Sequence, residues 1–447
     1  MASAAEQLAA NFNFGAFSKA TELKKRLWFT LGALIIYRLG TYVPLPGIDP
    51  VALSDIFSRQ GGGLIGMFDM FSGGALSRMT IFALNVMPYI SASIIMQLMT
   101  AVVPTLEELK KEGETGRKKI NQYTRYLTVV LATVQGYGIA VGLERSTSSV
   151  GSVVINPGPF FEITTVVTIV GGTMFLMWLG EQITQRGVGN GISLIIFAGI
   201  VANLPAALAQ TLELGRTGAL STALIIILLM MAVGVIAFIV FMERAQRRIV
   251  VQYPKRQVGN RMFGGESSHL PLKLNTSGVI PPIFASSLLL LPATFAGFSG
   301  GQGPAWMTQV AAYLGRGQPG YLLIYISLII FFAFFYTAVV FNPVDTADNL
   351  KKYGGFVPGI RPGKNTAEYL DFVLTRLTVI GAAYLSAVCI LPEILISQYA
   401  VPFYFGGTSL LIVVSVTMDT VGQIHAHMLA HQYEGLIKKS KLRGRRG

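Results

Sequence analysis

Val86-Met87-Pro88-Tyr89-Ile90-Ser91-Ala92-Ser93 and, far downstream, Val279-Ile280-Pro281-Pro282-Ile283-Phe284-Ala285-Ser286 share one pattern: two apolar residues, a proline, then small, aliphatic and aromatic residues without a charge. A second pair obeys the same logic, Gly191-Ile192-Ser193-Leu194-Ile195-Ile196 against Gly407-Thr408-Ser409-Leu410-Leu411-Ile412. Apolar segments resemble one another by chance, so the matches weigh through their proline and Gly-x-Ser anchors and through their offset along the chain. That offset is set by the apolar runs that contain them.

Apolar runs of about 17 to 25 residues with at most one charge are long enough to cross a bilayer as helices. Ten occur, near residues 27–45, 79–103, 127–143, 163–180, 192–212, 220–242, 277–298, 321–341, 377–395 and 403–418. Composition agrees: of 447 residues 52% are apolar and 13% charged, which excludes disorder and disfavours a soluble enzyme. Lipid cannot satisfy open backbone groups, and the alternation of barrel strands is absent, so helices are expected throughout. The fold class expected is all-α, a polytopic membrane protein of ten transmembrane helices. A single cysteine, Cys389, leaves no disulfide framework and no thiol metal site. The polar start, Met1 to Thr21, lacks the apolar core of a cleavable signal peptide.

An even number of spans puts both termini on one side, where Lys and Arg should crowd if that side is cytoplasmic. Of the 35 basic residues, 29 fall there, against four opposite, Arg59, Arg145, Arg216 and Arg316. Arg38 and Arg78 lie within or at the edge of spans. Both termini are therefore expected in the cytoplasm.

The matched segments sit in spans two and seven and in spans five and ten. An offset of five, an odd number, makes the second half the inverted copy of the first, 1–215 and 216–447. In such proteins the functional path lies between the halves near the midplane. The matched segments bring no charge to it: Val86, Ile90, Ile192, Ile196, Ile283 and Ile412 would ring a constriction with aliphatic side chains. A coupled carrier keeps charged residues in its spans despite their cost of about 3 kcal/mol, whereas an aliphatic ring makes a gate that dewets. The plain alternative is that these residues pack or face lipid. Between spans one and two, residues 61–74 hold an apolar piece too short to cross. Its glycine-flanked core, with Leu64, Ile65, Met67, Phe68, Asp69, Met70 and Phe71, suits either a movable plug or an interfacial helix.

Further motifs run along the whole chain: Leu45-Pro46-Gly47-Ile48-Asp49, Phe71-Ser72-Gly73-Gly74-Ala75-Leu76-Ser77-Arg78, Glu112-Gly113-Glu114-Thr115-Gly116-Arg117 and Gly180-Glu181-Gln182-Ile183-Thr184 with Gly189-Asn190-Gly191. Beyond them come His269-Leu270-Pro271-Leu272-Lys273, Asn342-Pro343 with Ala347-Asp348-Asn349-Leu350-Lys351-Lys352, Phe356 to Gly363 and Val401 to Thr408. In this order and spacing the sequence resembles the SecY family, central subunits of the bacterial protein-conducting channel. The resemblance implies an hourglass channel for unfolded secretory and membrane proteins in the bacterial cytoplasmic (inner) membrane, not an enzyme, with no cofactor or metal. It implies a pore ring at the six aliphatic positions and a plug at Leu64 to Phe71. A lateral gate would receive signal peptides between span two, with Ser91, Ile94 and Gln97, and span seven, with Ile283, Ser287 and Leu291, releasing nascent polypeptides into the membrane lipids. Partners implied are SecE, SecG and the SecA motor ATPase or the ribosome. Two departures stand out: Val86 replaces an expected isoleucine, and Asn260-Arg261 replaces a basic pair.

The cytoplasmic loops near 243–273 and 344–370 are basic and longer than a turn requires, with Lys255, Arg256, Arg261, Lys351, Lys352 and Arg361 as contact candidates. Without the resemblance, orientation alone explains their charge. His425, His427 and His431 near Glu434 lack a His-Glu-x-x-His pattern, and Gly187 to Gly191 reads as a tight turn rather than a phosphate loop because no strand precedes it. A solute carrier remains the transport alternative; an intramembrane protease lacks its side chains. For Arg38 snorkelling is expected, and for Arg78 anchoring of the plug through Asp69.

Overall fold

A helix covers all or most of each apolar run, because only a helix satisfies its own backbone away from water. The structure, a computed structural model, describes residues 21–60, 69, 71–145, 147–148, 151–217, 221–253, 256–258, 261–263, 267–298, 318–399 and 407–443. The helices are α1 (Thr21–Gly40), α2 (Pro50–Gln60), α3 (Met87–Val102), α4 (Pro104–Lys111), α5 (Glu114–Arg145), α6 (Pro159–Arg186) and α7 (Gly191–Arg216). They continue with α8 (Thr222–Arg244), α9 (Ile280–Phe298), α10 (Pro319–Val340), α11 (Pro343–Lys352), α12 (Lys364–Tyr399) and α13 (Gly407–Arg443). Seven described helices are long and apolar enough to cross a membrane: α5, α6, α7, α8, α10, α12 and α13. The pair α3 and α4 makes an eighth if counted as one span bent by 98°. The outer faces are apolar too. Trp28, Phe160, Ile227, Met230, Val233 and Phe241 are all more than half exposed, a surface that lipid solvates and water does not.

Helix packing repeats along the chain. Among the early helices α3 packs on α5, α5 on α6, α6 on α7, and α1 on both α6 and α7. Among the later ones α9 packs on α10, α10 on α12, α12 on α13, and α8 on both α12 and α13. Between the sets, α9 meets α3 and α5, while α13 meets α1 and α7.

Two sequence expectations shift. The second run was expected to be helical from Met79, but α3 begins at Met87, with Pro88 in its first turn. Residues 72–86 form turns instead, with Met79 and Asn85 at φ 43° and 50°, which a helix cannot contain. A short pair, β1 (Thr147–Ser148) with β2 (Gly151–Ser152), follows α5, and the loop after α8 also carries strand structure. β3 (Gln246–Gln252) pairs antiparallel with β6 (Ser267–Lys273), and a shorter hairpin, β4 (Arg256–Val258) with β5 (Arg261–Phe263), lies between them. Gln252 bridges to Phe356, so the 344–363 loop is tied to this hairpin. Ile249, Leu272 and Val357 then join Leu370, Val373 and Leu377 of α12 in a small separate core.

The turn from α6 to α7 shows how closely the helices approach. A Cβ at Gly191 would collide with the Gly180 carbonyl, whereas one at Gly171 would meet nothing. Gly191→Ala is expected to destabilise the purified protein by about 1–3 kcal/mol through overpacking, seen as a lowered thermal midpoint in detergent, while Gly171→Ala leaves the midpoint unchanged or raised.

Candidate functional site

The six aliphatic positions come from four helices. Val86 is the N-cap of α3 and Ile90 lies in its first turn; Ile192 and Ile196 open α7, Ile283 opens α9 and Ile412 lies in the second turn of α13. All six join one continuous apolar core. Val86, Ile90, Ile196 and Ile412 are buried, and Ile192 and Ile283 are partly buried against them.

Of the short segment before α3, Leu64, Ile65, Met67, Phe68 and Met70 lie outside the described residues, and Asp69 and Phe71 lie within them. Its C-terminal end is held backbone group by backbone group. The Phe71 carbonyl accepts from Asn85 Nδ2 at 2.7 Å and the Ser72 carbonyl from the Tyr37 hydroxyl at 3.3 Å. The Gly73 carbonyl accepts from Arg38 Nη1 at 2.8 Å and from Arg78 Nη2 at 2.9 Å. Both guanidinium groups also lie over the Tyr42 ring, 4.9 Å and 4.2 Å from its centroid, with Arg38 Nη2 donating to the Tyr42 hydroxyl. Gly73 sits at φ 67° against Gly199 of α7, where a side chain would have no room.

This arrangement corrects two sequence expectations. Arg38 turns inward to the segment rather than snorkelling. Arg78 anchors through the Gly73 carbonyl and not through Asp69, whose Oδ1 instead accepts the Ser77 backbone N–H at 2.7 Å. Tyr37 and Asn85 were not singled out in the sequence; a polar Asn just before the span-two proline was the available signal.

At the seam between α3 and α9, Ser91, Ile94 and Ser287 are buried, and the side chain of Leu291 lies outside the described residues. Gln97 Nε2 donates to Ser93 Oγ at 3.4 Å within α3, and Ser286 donates to the Ile283 carbonyl within α9. Gln97 Oε1 and Ser287 Oγ are buried without partners. Among the described residues no hydrogen bond joins the two helices, and Ile94 and Ile283 bring apolar contact to the seam.

On the cytoplasm-expected side, Lys351 and Lys352 end α11, where a helix C-terminus favours cations, and both are exposed. Arg361 is exposed between Gly359 and Gly363, at φ 81° and 104°. Lys255 and the side chains of Arg256 and Arg261 lie outside the described residues. The glycine turn before α7 spends its N–H groups on the protein: Val188 donates to Thr30, Gly189 to Gln423 and Gly191 to Thr184. With Asn190 capping Ile192 and Ser193, few donors remain there for a phosphate. Among the described residues no His, Cys, Asp and Glu cluster could hold a metal.

A family model described as SecY matches residues 80–421. The chain is 59% identical over 424 residues to the protein translocase subunit SecY of Escherichia coli K12, covering 95% of this chain and 96% of that one. It is similar in fold to a structure of a protein-conducting channel, with 18% identity, a TM-score of 0.66 and coverage of 91% and 92%. Sec61 in the canine ribosome-channel complex matches with a TM-score of 0.63, 18% identity and the same coverage.

The two guanidinium contacts to the Gly73 carbonyl set an expectation for leakage. Replacing Arg38 and Arg78 together by Gln removes both charged donors from Gly73 and is expected to raise resting ion conductance in planar bilayers. Asp69→Asn keeps an acceptor for Ser77 and is expected to stay near wild type. Equal conductance in the two variants would show that the guanidinium groups do not hold the segment.

Proposed function

The chain belongs to the SecY family of protein translocase subunits, and we propose that its conducting path runs between two inverted halves, 1–215 and 216–447, each contributing five of ten spans. The recurrence of the same helix pairings in the early and late sets supports the halves. Val86, Ile90, Ile192, Ile196, Ile283 and Ile412 form the pore ring, and Leu64 to Phe71 form a plug hinged at Phe71–Gly73. The observation that carries this reading is that segments matched in sequence across the halves supply all six aliphatic residues to one uncharged core. A ring of that kind dewets and blocks ions, yet makes no chemical demand on a passing chain.

The lateral gate is the α3–α9 seam, with Ser91, Ile94 and Gln97 facing Ile283, Ser287 and Leu291. Apolar contacts are easily exchanged for lipid, because between helices in hydrocarbon there is no hydrophobic penalty for separation. A signal segment offered both channel and lipid gains about 0.8 kcal/mol per buried CH₂ on leaving water. The setting is the bacterial cytoplasmic membrane with both termini in the cytoplasm, in keeping with the crowding of basic residues and the bacterial relative. Exposed Lys351, Lys352 and Arg361, with Lys255, Arg256 and Arg261 from the sequence after α8, receive the ribosome or the SecA motor. The canine neighbour's ribosome complex supports the former. SecE and SecG complete the complex, and signal peptides, nascent chains and lipid are what it handles.

The test is conductance in a planar bilayer with and without Leu64 to Phe71. Deletion is expected to raise conductance, with intermittent closures from the remaining ring. If both forms stay silent while a small-solute gradient drives flux, a carrier replaces the channel.

A further inference from the structure

The start of α7, the ends of α8 and α10, the residues from Lys273 to Ile280 that lead into α9 and the middle of α13 line an open cavity of about 310 Å³. It lies about one helical turn from the ring residues, on the side where basic residues crowd. Ser193 follows Ile192, Ile280 precedes Ile283 by three residues, and Ser415 follows Ile412 by three. The wall therefore continues directly into the proposed ring and, along α9, into the gate positions Ile283 and Ser287.

The lining is rich in acceptors. Glu243 and Asp419 both face the cavity, and Lys273 is the one cation among its described lining residues. Asn275 Nδ2 donates to one oxygen of Glu243 at 2.7 Å, and Lys273 forms no ion pair with either carboxylate among the described residues. Ser415, only 6% exposed, lines the same cavity with its hydroxyl buried and without a partner. Two like charges on one wall and an idle hydroxyl ask for a donor-rich cation.

We propose that this cavity receives the cationic flank, a lysine ammonium or arginine guanidinium, that precedes the apolar segment carried by the channel. Resting on the reading above, it adds a specificity site: the flank is held at Glu243, Asp419 and Ser415 while the apolar part lies along Ile283 and Ser287. Ile280, Ile283 and Ser287 follow one another at helical spacing on α9, so a segment laid along that face places its preceding charge at the cavity. The site thereby keeps the basic end on the cytoplasmic side.

The experiment uses the assembled complex in vesicles and two secretory substrates identical except for Lys-Lys or Gln-Gln before the apolar segment. Wild type is expected to favour the lysine form by about three- to fivefold, the range of partly solvated charge pairs. In the Glu243→Gln, Asp419→Asn double variant the ratio is expected to fall to about one, and in Glu243→Asp, Asp419→Glu to recover. A carbodiimide, which joins an amine to a carboxylate only when they touch, should couple the flank lysine of a stalled substrate to Glu243 or Asp419. A ratio unchanged in the neutral variant, or coupling confined to other carboxylates, overturns the inference while leaving the channel standing. If wild type transports neither substrate, the translocation reading itself fails and this one with it.

Discussion

Within a bilayer a carbonyl without a donor costs several kcal/mol, and the chain places three in succession, Phe71, Ser72 and Gly73, where helix gives way to turns. Each is met by a side chain from elsewhere: Asn85, Tyr37, and Arg38 with Arg78. That constraint orders much of what surrounds it. Tyr37 and Arg38 fix α1 against the turns that follow the segment, Gly73 presses on Gly199 of α7, and Asn85 takes its positive φ one residue before the N-cap of α3. The place where the backbone departs from the helix is thus the place where the proposed plug would end. Two charged donors on a single carbonyl, with an aromatic face beneath both, fix Gly73 at the end of the proposed plug.

The α3–α9 seam is built in the opposite manner. Its helices touch without a shared hydrogen bond among the described residues, and buried Ser287 and half-buried Gln97 keep unpartnered oxygens there. Separation therefore exposes polar atoms that are already unsatisfied and apolar ones that lipid accepts. A hinge tied by charged hydrogen bonds and a seam tied by apolar contact divide the labour of a channel. On the proposed function, one would hold the closed state in register and the other would yield to an apolar segment. The α6–α7 turn, laced to α1 and α13 by Thr30 and Gln423, belongs with the fixed parts.

Much of this was legible from the residues. Run length and charge placed the helices, since hydrocarbon leaves few alternatives, and the proline anchors of spans two and seven drew attention to α3 and α9, which do pack together. Helix starts were less legible. Residues 79–86 are apolar enough to read as span, and nothing in that composition discloses that Asn85 bonds the Phe71 carbonyl and breaks the helix. The role of Arg38 was missed because its partner is a backbone carbonyl 35 residues away, which no charge pattern encodes. The β3–β6 hairpin was passed over as loop although Ile249-Val250-Val251 carries β-branched residues. Its core forms only when Val357 and Leu370 arrive from the distant loop and α12.

The central claim is that the α3–α9 seam must part for a polypeptide to pass. It is tested most directly by placing cysteines at Ser91 and Ser287, with Cys389 replaced by serine, and joining them with a short reducible thiol crosslinker in reconstituted complexes. Translocation should stop when the link forms and resume when it is reduced. Undiminished translocation through the linked channel would contradict the account.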